Sequence, residues 1–362
     1  MYHTIRVGKD LRFSPNSSVV QQSLTGKDLT ELELILGGYG EPTYRALQLY
    51  NGLYRERVTE FEKLSSLPTR LRNQLADDFK LGLPRITHRF HAKDKTVRYL
   101  LTLEDGKTIE SVFIPEDRRD TLCISTQVGC PIDCKFCATG LMGLERNLTA
   151  GEIVGQIIVL LQQHQLQPQI RAVNIVMMGM GEPLLNLPAV MKAVNLLCDR
   201  NGLAIPSRRI TISTSGIPPK IRELSGFPDR PALAISLNAS TEEMREALMP
   251  ITRQYSLQEL LETCREYPLR ARERLTFEYV LLAGVNDTDC DAGRVSRMLA
   301  HLKCRVNLIP FNPGEGLPYS APSLSRVEAF QAILKSHLPC FVRKARGQEI
   351  SAACGQLKRN TD

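Results

Sequence analysis

Between residues 121 and 309 short apolar runs take turns with segments of helical period, and this alternation limits the chain to parallel strands joined by helical crossovers. Strands are expected at 121–126, 172–178, 209–213, 232–237, 275–282 and 305–309. Thr149-x-x-Glu152 is a capping box that opens an apolar face of Ile153, Val154, Ile157, Ile158 and Leu161, and Ser240/Glu243, Ser256/Glu259 and Ser325/Glu328 repeat the device. An open doubly wound sheet and a partial or full barrel both satisfy this order. Either one gathers ligand-binding groups where strands end. Gly181-Glu182-Pro183 follows the second candidate strand, Ser213 to Gly216 closes the third, Ser236-Leu237-Asn238 closes the fourth, and Asn307 to Asn312 surrounds the end of the sixth.

Upstream the pattern differs. From Lys27 to about Phe79 it reads as short helices: an apolar series through Leu29, Leu32, Leu34 and Leu36 stops at Gly37-Gly38, while Pro42 and Pro68 open the next two. Residues 86–113 then alternate apolar with polar side chains, with Asp105-Gly106 where a hairpin turn needs it. The expected organisation is a helical module (1–84), a β-hairpin connector (85–119), an α/β core (120–357) and a short tail (358–362).

The core begins with cysteines. Cys123 is followed by Cys130, Cys134 and Cys137, the last three in a C-x3-C-x2-C run that puts three thiolates on one loop without a fourth ligand nearby. Structural zinc is normally closed by four ligands, whereas a four-iron cluster held by three thiolates keeps one iron open to a small molecule. A zinc knuckle, a disulfide framework and an electron-transfer cluster remain as alternatives, the last usually needing a fourth cysteine at short spacing. Cys198, Cys264, Cys290, Cys304 and Cys340, scattered singly, read as core residues.

Composition narrows the setting. The 362 residues suffice for one large or two ordinary domains, and 43% hydrophobic with 23% charged residues describe an ordinary globular chain. Met1 to Asp10 has no apolar core of signal-peptide length, and the clearest apolar stretch, Ile157 to Leu161, is far too short to cross a bilayer. A cytoplasmic protein without a membrane span is expected. Its net charge of +7 agrees with a nucleic-acid partner without establishing one; Arg208-Arg209, Arg270 with Arg272 and Arg274, and Arg343-Lys344 with Arg346 read either as phosphate contacts or as solvated faces.

The loop from Cys130 to Cys137 resembles that of the radical S-adenosylmethionine enzymes. Met178-Gly-Met-Gly181-Glu182-Pro183-Leu-Leu-Asn186, Ile-Pro310-Phe-Asn312-Pro and Ala353-Cys354-Gly355-Gln356-Leu resemble, more narrowly, the RlmN/Cfr adenosine methyltransferases, over about residues 27–357. That likeness implies a partial (β/α)6 barrel behind a small helical accessory domain that helps hold RNA. It also implies a 4Fe-4S cluster on Cys130, Cys134 and Cys137 whose free iron is chelated by S-adenosylmethionine, two molecules of which are used per turnover. By motif, Gly181, Glu182, Ser213, Ser236, Leu237, Asn238 and Asn312 correspond to contacts with S-adenosylmethionine.

In the family a cysteine takes a methyl group by displacement, a 5′-deoxyadenosyl radical removes hydrogen from it, and the carbon radical adds to adenine. Cys354 matches this S-methylcysteine, Cys123 the resolving thiol that forms a transient disulfide with it, and Glu110 the proton acceptor. Cys123 taken alone also reads as a buried strand residue or a fourth cluster ligand, Glu110 as the polar face of a strand, and Glu182 as a loop carboxylate capping a helix. The stretch from Cys137 to Thr149 resembles the housekeeping carbon-2 branch more than the carbon-8 branch. The implied partners are 23S rRNA, tRNA and an external electron donor such as flavodoxin, acting on a monomer. Another radical enzyme, such as a glycyl-radical activase, and a zinc-bearing RNA-binding module are the competing classes. The chain departs from many relatives in having no tryptophan, with Phe311 at one such position, and in carrying Asn238 where histidine is frequent.

Overall fold

The computed structural model describes residues 21–314 and 316–358. Met1 to Asp10 and the tail beyond Lys358 lie outside the described residues.

Helices α1 (Leu29–Gly38), α2 (Tyr44–Tyr50) and α3 (Thr69–Asp78) form the N-terminal module. Asp28 and Glu31 make a reciprocal capping box on α1 that the sequence pattern did not reveal, and Leu32 and Leu36 are its buried stripe while Leu34 faces solvent. Polar contacts and close backbone approach tie the module to the core. Tyr50 Oη donates to Asp199 (3.0 Å), Arg57 donates to Leu166 O (2.7 Å), and Lys192 pairs with Glu31 (2.7 Å). At Gly151 a Cβ would sit 2.2 Å from Thr25 O, so only glycine allows this approach. Gly151→Ala is expected to cost about 1–3 kcal/mol, read by chemical denaturation; unchanged stability would mean that the module shifts freely on the core.

Ten strands form one sheet in sequence order: β1 (Arg85–His91), β2 (Val97–Thr102), β3 (Thr108–Pro115), β4 (Asp120–Cys123), β5 (Val173–Met177), β6 (Ile210–Thr214), β7 (Ala232–Ser236), β8 (Leu275–Leu281), β9 (Cys304–Pro310) and β10 (Cys340–Val342). Strands β1 to β4 are antiparallel; β4 to β10 are parallel. The expected partial barrel is therefore present as an open mixed sheet, with the connector strands built into it and a short seventh parallel strand, β10, that the sequence pattern did not announce. The β2–β3 hairpin turns at Asp105-Gly106, where Gly106 has φ 81°.

Each parallel connection carries at least one helix: α4 (Ala150–Gln163), α5 (Leu187–Cys198), α6 (Pro218–Ser225), α7 (Glu242–Leu248) with α8 (Leu257–Glu266), α9 (Asp289–Leu299) and α10 (Leu324–Lys335). Thr149 and Glu152 cap α4 reciprocally, and Ser256 caps α8. Two boundaries move: Thr241 rather than Ser240 caps α7, and Ser323 rather than Ser325 caps α10. Ser240 is instead drawn to Asp291 (2.5 Å) and Arg294 (3.0 Å) on α9. Val173, Ile175 and Met177, like Ile210 and Ile212, are buried, whereas Val176, Ser213 and Thr211 between them are half-buried. One sheet face is sealed by helices and the other lines a hollow.

Candidate active site

The three clustered cysteines sit on the loop after a short strand, Gln127–Gly129, which pairs with Leu144–Asn147. Backbone bonds fix this loop: Cys130 N–H donates to Gly143 O (2.8 Å), Lys135 N–H to Leu248 O (2.9 Å) and Gly140 N–H to Cys137 O (3.0 Å). The loop carrying Cys354 is tied to the same segment. Ala138 N–H donates to Gly355 O (2.7 Å) and Thr139 Oγ1 to Leu357 O (2.7 Å).

Two adjoining hollows open there, of about 870 Å³ and about 550 Å³, sharing Met178, Ile309 and Cys354. The larger is lined by Cys130, Cys134, Cys137, Gly181, Glu182, Ser213, Ser236 and Asn238. The smaller holds Cys123, Asn312, Arg343 and Leu357. Eleven separate sequence candidates therefore meet, with Cys354 at the junction.

Glu182 follows β5 and is buried, its carboxylate accepting N–H bonds from Leu184 (3.1 Å) and Ser215 (2.7 Å). It caps the turn Pro183–Asn186, as the plain sequence reading allowed, and it also faces the hollow. Burial raises its pKa despite those donors, and no Lys or Arg pairs with it among the described residues. Gly181 has φ +106°, and a Cβ there would lie 2.6 Å from Gln127. Asn238 adopts φ 56°, with Oδ1 accepting Val280 N–H (2.8 Å) and its carbonyl accepting from Asn286 (2.8 Å). That clamp braces the end of β7 against β8.

Residues 124–292 match the family model for the Radical SAM superfamily, and residues 22–81 match the ribosomal RNA large subunit methyltransferase N-terminal domain. A curated relative from Koribacter versatilis (strain Ellin345), named "Probable dual-specificity RNA methyltransferase RlmN", is 48% identical over 337 residues, 88% of this chain and 97% of its own. The "Dual-specificity RNA methyltransferase RlmN" of Syntrophobacter fumaroxidans (strain DSM 10017 / MPOB) is 45% identical over 334 residues, covering 91% of this chain and 97% of the relative. The chain belongs to the RlmN family of radical SAM enzymes. The crystal structure of a radical SAM methyltransferase from Sphaerobacter thermophilus agrees in fold, with TM-score 0.90 at 42% identity over 94% of this chain and 100% of that one.

Membership in the RlmN family implies a 4Fe-4S cluster and S-adenosylmethionine, and the residues present fit both. Cys130, Cys134 and Cys137 line one hollow, and Cys134 feels both other sulfurs. Burial pushes the Cys130 thiol up to about 12 and those of Cys134 and Cys137 upward as well. Thiols so placed ionise when an iron centre supplies the compensating charge. Among the described residues the three do not close on a single metal-ion position. The buried, cation-free carboxylate of Glu182 suits an ammonium group.

Some assignments fall elsewhere. Leu237 is fully buried, its N–H donating to Glu278 O (2.9 Å), and does not line either hollow. Asn312 belongs to the smaller hollow and has both ends of its amide engaged by the C-terminal loop, donating to Cys354 O (3.4 Å) and accepting from Gln348 (2.7 Å). Glu110 is fully buried on β3, paired with Arg98 and accepting the N–H of Lys358 (3.1 Å), outside both linings. The transient disulfide expected between Cys123 and Cys354 has no support in the geometry: all ten cysteines are free. Cys123 is fixed in β4 opposite Val112 and Val176 while Cys354 is held by the cluster loop, so the two thiols line the cavity without bonding. Cys290, expected in the core, is exposed in the first turn of α9.

Several lining residues escaped the sequence reading, Glu278 and Arg343 among them. Glu278 lies between Phe277 and Tyr279 on β8, and this alternation in a parallel strand is the signal that turns it inward. Arg343, read as part of a basic surface cluster, enters the smaller hollow. No helix is long and apolar enough to cross a membrane among the described residues.

Proposed function

We propose that this chain methylates carbon 2 of an adenosine in 23S rRNA, and the adenosine beside the tRNA anticodon, through an S-methylcysteine at Cys354. The observation that carries this reading is the position of Cys354 at the junction of two hollows, three cysteines and Glu182 in one and Cys123 in the other. A second thiol beside a methyl carrier has a use here that a general radical enzyme lacks.

Cys130, Cys134 and Cys137 hold the cluster, and Glu182, with Gly181, Ser213, Ser236 and Asn238, receives S-adenosylmethionine. Bound there, the pair supplies a methyl group, an electron and a hydrogen-abstracting 5′-deoxyadenosyl radical. Carbon 2 of adenine is a poor nucleophile between two ring nitrogens, which is why a sulfur of this chain carries the methyl first. Asn312, through Cys354 O and Gln348, keeps that sulfur at the junction. Addition of the carried carbon radical leaves one unpaired electron on the ring; Glu110 would take the ring proton once the tail segment at Lys358 yields its bond to the carboxylate, and the cluster would supply the one-electron acceptor that restores the closed-shell ring.

Cys123 then releases the product. Its thiolate attacks the Cys354 sulfur, an S–S bond forms, and the bond from that sulfur to the bridging carbon breaks with its electron pair left on the carbon. A proton taken up there completes the methyl group, and external thiols reduce the disulfide. The pairing exists only during turnover. The helical module (1–84) presents RNA to a core (120–357) through the connector (85–119), and the enzyme acts as a cytoplasmic monomer reduced by a flavodoxin-type donor.

The test is anaerobic incubation of the reconstituted protein with unmodified 23S rRNA or tRNA, S-adenosylmethionine and a reductant, followed by mass spectrometry of nucleosides. 2-Methyladenosine from both RNAs is expected; 8-methyladenosine would assign the carbon-8 chemistry instead, and neither product would overturn the reading. Cys134→Ala is expected to lose the bound iron and inorganic sulfide and all product, whereas zinc in the wild-type protein with no iron would favour a binding module.

A further inference from the structure

Cys123 is 8% exposed, and burial pushes its thiol up to about 12, where almost no thiolate exists at neutral pH. A resolving nucleophile in such a place needs a counter-charge. Arg343 follows β10 and enters the hollow that holds Cys123 and Cys354. Its backbone N–H is anchored to Leu308 O (2.8 Å), but its guanidinium is loosely held: Nη1 donates to the Met178 thioether (3.3 Å) and stands 3.7 Å from the Glu278 carboxylate. A thioether is a weak acceptor, and 3.7 Å exceeds a direct hydrogen bond. A planar fork of five donors thus stands beside two thiols, with the Glu278 carboxylate at 3.7 Å and Glu116 acting on it from beyond ion-pair reach.

We infer that Arg343 is a positioning residue for the release step, its guanidinium leaving Glu278 to pair with the Cys123 thiolate. This rests on the resolving role proposed above for Cys123. The charged groups facing Cys123 are Cys354 on the C-terminal loop, Glu278 on β8, and Arg343, Lys344 and Arg346 beyond β10. Arg343 favours the Cys123 thiolate, while Glu278 and an ionised Cys354 oppose it. Once the Cys354 sulfur is bonded to carbon it carries no charge, and Arg343 then serves Cys123 alone. The Cys123 thiolate is thereby favoured from the time Cys354 has taken its methyl group, ahead of the attack that frees the RNA. Arg98 and Glu110 share this sheet face but neutralise each other.

The experiment follows alkylation of Cys123 by iodoacetamide against pH in the full reconstituted chain, read by mass spectrometry of the Cys123 peptide. Arg343→Met is expected to move the midpoint up by about one pH unit or more, slowing alkylation about tenfold at pH 8. Arg343→Lys restores most of the rate. Glu278→Gln, which frees the guanidinium, moves the midpoint down, so the inference keeps a test of opposite sign if the methionine variant does not fold. Superimposable curves for wild type and Arg343→Met would overturn it, as would a uniform slowing with an unchanged midpoint, which would mean that Arg343 only shapes access. Alkylation needs neither RNA nor S-adenosylmethionine, so a wild-type protein that methylates no RNA would count against the functional reading alone.

Discussion

Cys354→Ala is expected to abolish RNA methylation, a loss on the order of 10⁴-fold or more, while iron and inorganic sulfide content stay at wild-type levels. The variant removes a half-buried thiol for which no structural bond is needed, whereas the backbone that holds the loop, Gly355 O to Ala138 N–H and Leu357 O to Thr139, is untouched. Folding and cluster assembly are therefore expected to survive. Cys123→Ala is expected to fail later: on the proposed mechanism it joins RNA to Cys354 but lacks the thiol that cuts the bridge, so a covalent enzyme–RNA species is expected to accumulate on denaturing gels. A Cys354→Ala protein with full turnover would remove the methyl carrier from the reaction and favour a different radical enzyme, one that needs the three-cysteine loop alone.

The strands and the cysteine loop were legible in the sequence because each is a local pattern. All six expected parallel strands are present, and four of the cavity-lining groups lie at their ends, as the sheet's polarity requires. Strand β10 was not legible: three residues behind Pro339 give no period to read. The helix caps at Ser240 and Ser325 misled because several Ser and Thr residues compete for each start, and tertiary partners decide among them; Ser240 goes to Asp291 and leaves the cap to Thr241. The inner wall was half legible. Parallel strands covered on both faces read as continuous apolar runs, but Thr211, Ser213, Thr276 and Glu278 interrupt theirs with period two. That alternation marks a face left open by the helices, and only the register shows that Ser236 stands beside Glu278 and Glu278 beside Asn307.

Arg98→Met is expected to destabilise the fold by about 3–5 kcal/mol, because it takes away the guanidinium paired with the buried carboxylate of Glu110. The pair joins neighbouring strands β2 and β3 with side chains 2% and 0% exposed, and the guanidinium also lies 4.0 Å over the Phe90 ring. Replacing both charges, Arg98→Met with Glu110→Leu, is expected to recover most of the loss, since desolvation of two ions disappears with their attraction. Urea denaturation of the two single variants and the double variant gives the coupling, and losses that simply add would mean that the side chains do not act as a pair. The consequence reaches the reaction through Lys358. Its N–H donates to Glu110, so the carboxylate that ties β3 to β2 also ends the loop that begins at Cys354. Loss of that tie in the double variant, which lacks the carboxylate, should expose the C-terminal segment to proteases well before the core unfolds, and a segment as protected there as in wild type would show that Leu357 and Thr139 hold it without Glu110.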